Sequence, residues 1–297
     1  MTDIIYPSFA RLYEMYMTAL MRSPVDITCR GRKMAYEKTN VQLVIPVSEG
    51  ISIYSHPETR AFPISFALAE LAWILSGSND AQLIAKWNKA MLAYSDDGKT
   101  MSGAYGYRLG SQIDSCIAKL VEDKYSRQAC ATIWKPSDIK ASSKDHPCNV
   151  FLQFMIRNDE LNLTVISRSS DFITGLPVDA FHWQALLVMV TNELQDTYPM
   201  LEYGKVIYNI ASLHVYDVDV EMLRSFENVS DYEHKITMLF SYTQLSVKSA
   251  SRFRCCDTVT NLCELFGLDA SDFTTVQTLY EIFRSRKHRF QRGGASA

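Results

Sequence analysis

Residues 150 to 167 constrain this chain more than any other stretch. Val150 to Ile156 is rich in aromatic and β-branched residues, Asn158-Asp159 is turn chemistry, and Leu161, Leu163 and Val165 then alternate with Asn162 and Thr164. Two strands joined by a tight turn form a hairpin. The hairpin brings its two open ends together, so His146-Pro147-Cys148-Asn149 should lie beside Arg168-Ser169-Ser170-Asp171, with Gly175-Leu176-Pro177-Val178-Asp179 a turn further on. A thiol, an arginine, hydroxyls and two carboxylates are thereby collected into one place. A cysteine taken alone is usually a small buried hydrophobe, as expected for Cys116 and Cys130. A nucleophilic cysteine needs a cationic neighbour to favour its thiolate. Arg168 is that candidate, a rigid fork able to reach both a sulfur and a phosphate.

Composition limits the rest. The 297 residues, 47% hydrophobic and 21% charged, suit one globular domain over 1–297. The formal net charge of -3 gives no global basic field, so nucleic acid is not an expected partner. The seven cysteines form no CxxC pair, so neither a metal site nor a disulfide framework is expected, and reduced thiols in the cytoplasm are the natural reading. Met1 to Tyr6 does not read as a signal peptide, and no stretch reaches the length of a membrane span, so no membrane partner is expected.

Along the chain, helical spacing covers Ser8 to Met21 with Ser8 as cap, Phe66 to Ser76, Asp80 to Leu92, Gln112 to Lys124 and Ala180 to Leu194. Strands are expected at Val41 to Val47, Ala129 to Trp134 and Tyr203 to Tyr216. Arg22 to Tyr36 reads as a basic loop centred on Arg30-Gly31-Arg32-Lys33, either solvated or phosphate-binding. Glu70 is a lone acid in an apolar helix, costly to bury without a partner or a task. Beyond Asp219 the chain reads as helical, at Glu221 to Phe226, His234 to Phe240, Asp257 to Leu268 and Val276 to Arg286. A basic tail from Arg284 to Arg292 reads as a solvated helix end, and Gly293 to Ala297 as disordered. Periodicity alone supports only mixed α/β.

The combination Pro147-Cys148, Gln153-Phe154, Arg168-Ser169-Ser170-Asp171, Gly175-Leu176-Pro177 and an acid at 179 resembles the thymidylate synthase family, over about residues 30 to 216. The resemblance implies a large mixed β-sheet with helices on one face, and a homodimer formed through the other. It implies that Cys148 attacks a pyrimidine nucleotide and that Glu70 organises water at the ring. Tyr105 would contribute to proton transfer at C5. Arg30 (with Arg32 close behind), Gln153, Arg168, Ser169 and Ser170 would bind the nucleotide, and His214 and Tyr216 its sugar hydroxyl. Arg127 would reach the partner subunit's phosphate, although Gln128 stands where the family has a second arginine. Asp171, Gly175 and Trp87 would face the folate, 5,10-methylenetetrahydrofolate, with no metal. Asn149 replaces the usual histidine, Ser212 the usual aspartate, and the C-terminus lacks the family's apolar lid.

Position 179 separates substrates. Synthases carry asparagine there, which can donate to uracil O4; a carboxylate only accepts, which suits the cytosine amino group. Asp179 therefore favours cytosine, and the phage deoxycytidylate hydroxymethylases of this family carry Asp here. An ordinary N-cap for the helix from Ala180 is the competing role. The expected activity is C5 hydroxymethylation of dCMP or CMP, in a host cytoplasm if the source is viral. Alternatives are a C5 methylase, thymidylate synthase included, and a non-catalytic binding module.

Overall fold

The computed structural model describes residues 7–48, 50–55, 62–140, 142–225, 233–236, 242, 258–266 and 268. Helix α1 (Phe9–Met21) starts where Ser8 Oγ accepts from the Arg11 amide. The basic segment is a hairpin rather than a loop: β1 (Pro24–Cys29) turns directly into the long β2 (Arg32–Pro46). The turn residues Arg30 and Gly31 both have positive φ, 52° and 76°, the geometry of a two-residue turn whose twist matches the strands. β3 (Ile51–Tyr54) and α2 (Ile64–Leu75) follow. The helix expected over 80–92 is broken. Asp80 caps only the short α3 (Ala81–Ala85), and Asn88 restarts the chain as a 3-10 turn by accepting from the Ala90 amide.

Next come α4 (Tyr105–Leu109), α5 (Gln112–Glu122), β4 (Cys130–Thr132), then the hairpin β5 (Asn149–Arg157) and β6 (Glu160–Ser167). Its turn residues Asn158 and Asp159 sit at φ 54° and 58°, where asparagine and aspartate are tolerated best. A two-residue β7 (Ser170–Asp171) leads to α6 (Gly175–Leu194) and the long β8 (Glu202–Tyr216). α7 (Val220–Ser225), β9 (Glu233–Ile236) and α8 (Val259–Phe266) complete the described elements. β9 pairs antiparallel with β3, so a strand stands where a helix was expected from His234. The proposed helix from Val276, the basic tail and the terminal glycines lie outside the described residues.

The seven-stranded sheet runs β1-β2-β8-β6-β5-β4, with β7 also on β8. β8 pairs antiparallel with β2 and parallel with β6 and β7. Alternation along the strands buries Leu43, Phe154, Leu163, Val206 and Tyr208 on one face, where α6, almost wholly buried, packs with α1, α2 and α5. Residues on the other face, among them Phe151, Met155, Thr164 and Ile207, are only half covered. This is the expected mixed sheet with helices on one face.

Candidate active site

The hairpin brings its ends together as its pattern implies. The Arg168 amide donates to the Cys148 carbonyl at 2.9 Å, and Ser167 Oγ donates to the same carbonyl at 3.0 Å. The Arg168 guanidinium then wraps the Pro-Cys segment: Nε donates to Pro147 O at 2.9 Å, Nη2 to His146 O at 3.0 Å, and Nη1 to Ser169 Oγ at 3.0 Å. Nη2 also lies 3.7 Å from Cys148 Sγ, with Ser169 Oγ at 3.9 Å. Burial pushes the Cys148 thiol above its ordinary range, and the Arg168 charge pulls it back. The segment before the cysteine is anchored too. Asp145 accepts from the Gly103 amide at 2.6 Å, and Arg108 forms a buried ion pair with Asp138.

Asp179 shares this pocket. It lies inside α6, whose N-cap is Thr174, so it does not cap the helix. The N-cap reading assumed a start at Ala180, but Pro177 sits within the first turn, where its missing amide costs nothing. Asn149 Nδ2 donates to Asp179 Oδ2 at 3.1 Å, and Tyr208 O–H lies 2.8 Å from Asn149 Oδ1 and 3.2 Å from the same carboxylate oxygen. The residue after Cys148 thus grips the acid directly. Burial raises Asp179 to about 6, against the lowering effect of these two donors. Glu70 is raised to about 8, by burial first and then by Asp179. The Tyr105 phenol is held well above its ordinary value by burial and by Asp179, Cys148, Tyr208 and Glu70. Five groups from four elements and a loop therefore sense one another's charge.

The sugar-side candidates lie at the far end of β8. His214 is opposite Glu37 on β2 and opposite Asp171 on β7. Its ring meets Tyr216 edge-on at 4.8 Å, and the Arg32 guanidinium lies 3.4 Å over the Tyr216 ring. Ser212 Oγ donates to Glu37 Oε1 at 2.5 Å, so a carboxylate from β2 stands at this position of β8. Asp171 Oδ1 accepts from the Ile173 and Thr174 amides, the turn-capping role. Its Oδ2 has no hydrogen bond among the described residues, which fits an acceptor for paired N–H donors. Ser170 is buried with its hydroxyl unpartnered among the described residues, and Gly175 opens α6 beside it. Arg30 Nη2 reaches Lys144 O at 3.2 Å, on the segment leading to Cys148.

Two candidates stay apart from Cys148 within one chain. Gln153 is on the half-covered face and donates to the carbonyl of the exposed Arg127 at 2.9 Å. Trp87 follows α3 and packs against the core. The tryptophans that meet site residues are Trp134, 5.9 Å from Arg168, and Trp183, stacked on Tyr105 at 5.8 Å. Trp134, Tyr208 and the Asn149–Asp179 bond were not foreseen. Tyr208 was findable, since it is an even-numbered position on β8 like His214 and Tyr216.

The thymidylate synthase family profile matches residues 13–258. The chain belongs to the thymidylate synthase family. It is 32% identical over 189 residues to the deoxyuridylate hydroxymethyltransferase of Bacillus phage SP01, covering 58% of this chain and 45% of that protein. It is 38% identical over 117 residues to the deoxyuridylate hydroxymethyltransferase of Pseudomonas phage M6, covering 37% and 33%. Thymidylate synthase of Bacillus licheniformis is 29% identical over 184 residues, covering 56% and 62%. The matches thus span less than half the length of the two phage relatives. Thermostable thymidylate synthase A from Bacillus subtilis shares the fold with a TM-score of 0.63 at 21% identity, covering 78% of this chain and 88% of that one. Both phage relatives carry deoxyuridylate in their names.

Proposed function

We propose that the protein is a folate-dependent pyrimidine nucleotide C5 hydroxymethyltransferase acting on a cytidine nucleotide, deoxycytidylate first. The supporting observation is the Asn149–Asp179–Tyr208 cluster. With Oδ2 committed to donors, and no donor on Oδ1 among the described residues, the carboxylate offers an acceptor that suits the N4 amino group. Uracil O4 would instead meet an oxygen, and mispaired buried groups discriminate by about 1–3 kcal/mol each.

In the proposed reaction Cys148 Sγ bonds to C6 as a thiolate favoured by Arg168 and Ser169, making C5 nucleophilic. C5 takes the one-carbon unit of methylenetetrahydrofolate, which Asp171 and Gly175 would hold. Loss of the C5 proton expels tetrahydrofolate and leaves a methylene on the ring. Tyr105, its phenol held protonated, passes that proton through its O–H rather than acting as a phenolate base. Water oriented by Glu70 adds to the methylene, and the C6–S bond breaks. A methylase would deliver hydride from the folate instead. Glu70, whose carboxyl is raised to about 8 by burial and by Asp179, would stay protonated at neutral pH and so could orient the water that the hydroxymethyl product needs. His214 and Tyr216 would hold the sugar, and Arg168 with Arg30 the phosphate. A homodimer through the half-covered sheet face would let Arg127 reach its partner's phosphate.

The names of the phage relatives favour a second reading, deoxyuridylate as substrate. Asp179 could then donate to O4 only in its protonated form, so turnover of dUMP should fall as pH rises through about 6. The test is incubation with dCMP, CMP or dUMP and methylenetetrahydrofolate, with mass analysis of the nucleotide. Hydroxymethylation leaves near-ultraviolet absorbance flat, because tetrahydrofolate is released; a rise from dihydrofolate together with a methyl product would overturn the reading. The C5 hydrogen exchange that accompanies turnover should vanish in Cys148→Ala.

A further inference from the structure

His182 is 2% exposed and has no task in the scheme above. It sits on α6 one turn beyond Asp179, on the same helical face. Its Nε2 lies 3.0 Å from the Ala67 carbonyl and 3.9 Å from Glu70 Oε2. Ala67 is one turn before Glu70 on α2, so a single ring atom joins α6 to the turn that carries the acid. A carbonyl only accepts, which places the proton on Nε2. Burial pulls the ring's pKa down to about 4, so His182 is neutral and supplies no countercharge to Glu70. The charged and titratable groups facing Glu70 are then Asp179 from α6 and Tyr105 from α4. Gln184, also buried on α6, makes a comparable join: its amide bonds both backbone groups of Ser52. A leucine would fill the His182 position without desolvating two ring nitrogens.

We propose that His182 is a positioning residue for the water step: by clamping the Ala67–Glu70 turn of α2 onto α6, it holds Glu70 where the incoming water is oriented. The proposal rests on the hydroxymethyl reading. It concerns the placement of Glu70 and not the attack by Cys148, so it predicts a split between two observables. C5 hydrogen exchange reports attack and proton loss, whereas hydroxymethyl product also needs the water.

Two variants of similar size and polarity make the test. In His182→Gln the amide nitrogen falls near the position of Nε2 and can still donate to Ala67 O. In His182→Asn it falls near Nδ1 and cannot reach. The ratio of product to exchange should fall about tenfold in His182→Asn, in keeping with the cost of misplacing a reacting group by a fraction of an ångström, and stay within about threefold of wild type in His182→Gln. The KM for nucleotide should move little in either variant. Equal ratios in the two variants, or exchange and product falling in parallel in both, would overturn the proposal. Wild-type product identity is read in the same experiment: a methyl product sinks the hydroxymethyl reading, whereas the ratio between variants judges His182.

Discussion

Arg168 makes four contacts to its own chain, two to carbonyls, one to Ser169 and one to the sulfur. A guanidinium has five N–H groups, so one remains for a substrate anion. The arginine is therefore chiefly a brace for the Pro147–Cys148 turn, with its charge directed at sulfur. Asp179 is braced in the same manner by Asn149 and Tyr208, and this yields a sharp expectation. Asp179→Asn sets an amide against the Asn149 amide and offers a donor to position 4 of the base. The ratio of kcat/KM for cytosine over uracil nucleotides should fall by about tenfold or more. Measuring both substrates with wild type and variant checks it; an unchanged ratio would remove Asp179 as the base reader.

At the scale of elements, the site depends on how closely α4 approaches α2. Gly106, next to Tyr105, packs so tightly that an added Cβ would collide with the backbone of Ile74. Backbone cannot swing aside as a side chain can, so Gly106→Ala must push α4 away from α2 and carry the Tyr105 hydroxyl with it. A loss of about 1–3 kcal/mol is expected, read as a lower denaturant midpoint, together with slower C5 hydrogen exchange in the folded fraction. The α2–α6 join at His182, through Ala67, and the α2–α4 contact at Gly106, through Ile74, thus place Glu70 and Tyr105 from two points two turns apart along one face of α2. β8 plays the equivalent part for the substrate side, carrying Tyr208 near Asp179 and His214 with Tyr216 further along the same face.

At the scale of the molecule, the half-buried acids make stability depend on pH in a defined direction. Glu70 is raised in the folded protein to about 8, from an ordinary value of 4.5. Between those values the unfolded chain has lost a proton that the folded chain keeps, so the folded state loses stability as pH rises through this window. Asp179, raised to about 6, acts in the same direction over a narrower range. The thermal midpoint of the ligand-free protein should therefore drop between pH 5 and pH 8 by this contribution, and Glu70→Gln should flatten the drop while abolishing product formation. A variant whose pH–stability curve follows wild type would show that Glu70 is not the buried acid responsible.

The hairpin was legible in the sequence because its signals are local: alternation, a turn pair at 158–159, and chemistry at the two open ends. The register follows from those few residues, and with it the meeting of Cys148 and Arg168. The long β8 was legible for the same reason, as period and burial agree along it, whereas the helices on one face were expected from the family resemblance and not from periodicity. The strand at Glu233–Ile236 was not, because its pairing partner β3 lies far away in sequence. The true start of α6 was also hidden, since Pro177 reads as a break until the turn before it is seen. Glu70, Tyr105, Asp179, Tyr208 and His182 come from four elements, and no spacing relates one element's residues to another's. Local pattern can state which residue types are present. Only the packing of α2, α4, α6 and β8 removes enough water to raise two carboxyl groups toward neutrality, because desolvation depends on what surrounds a group in space.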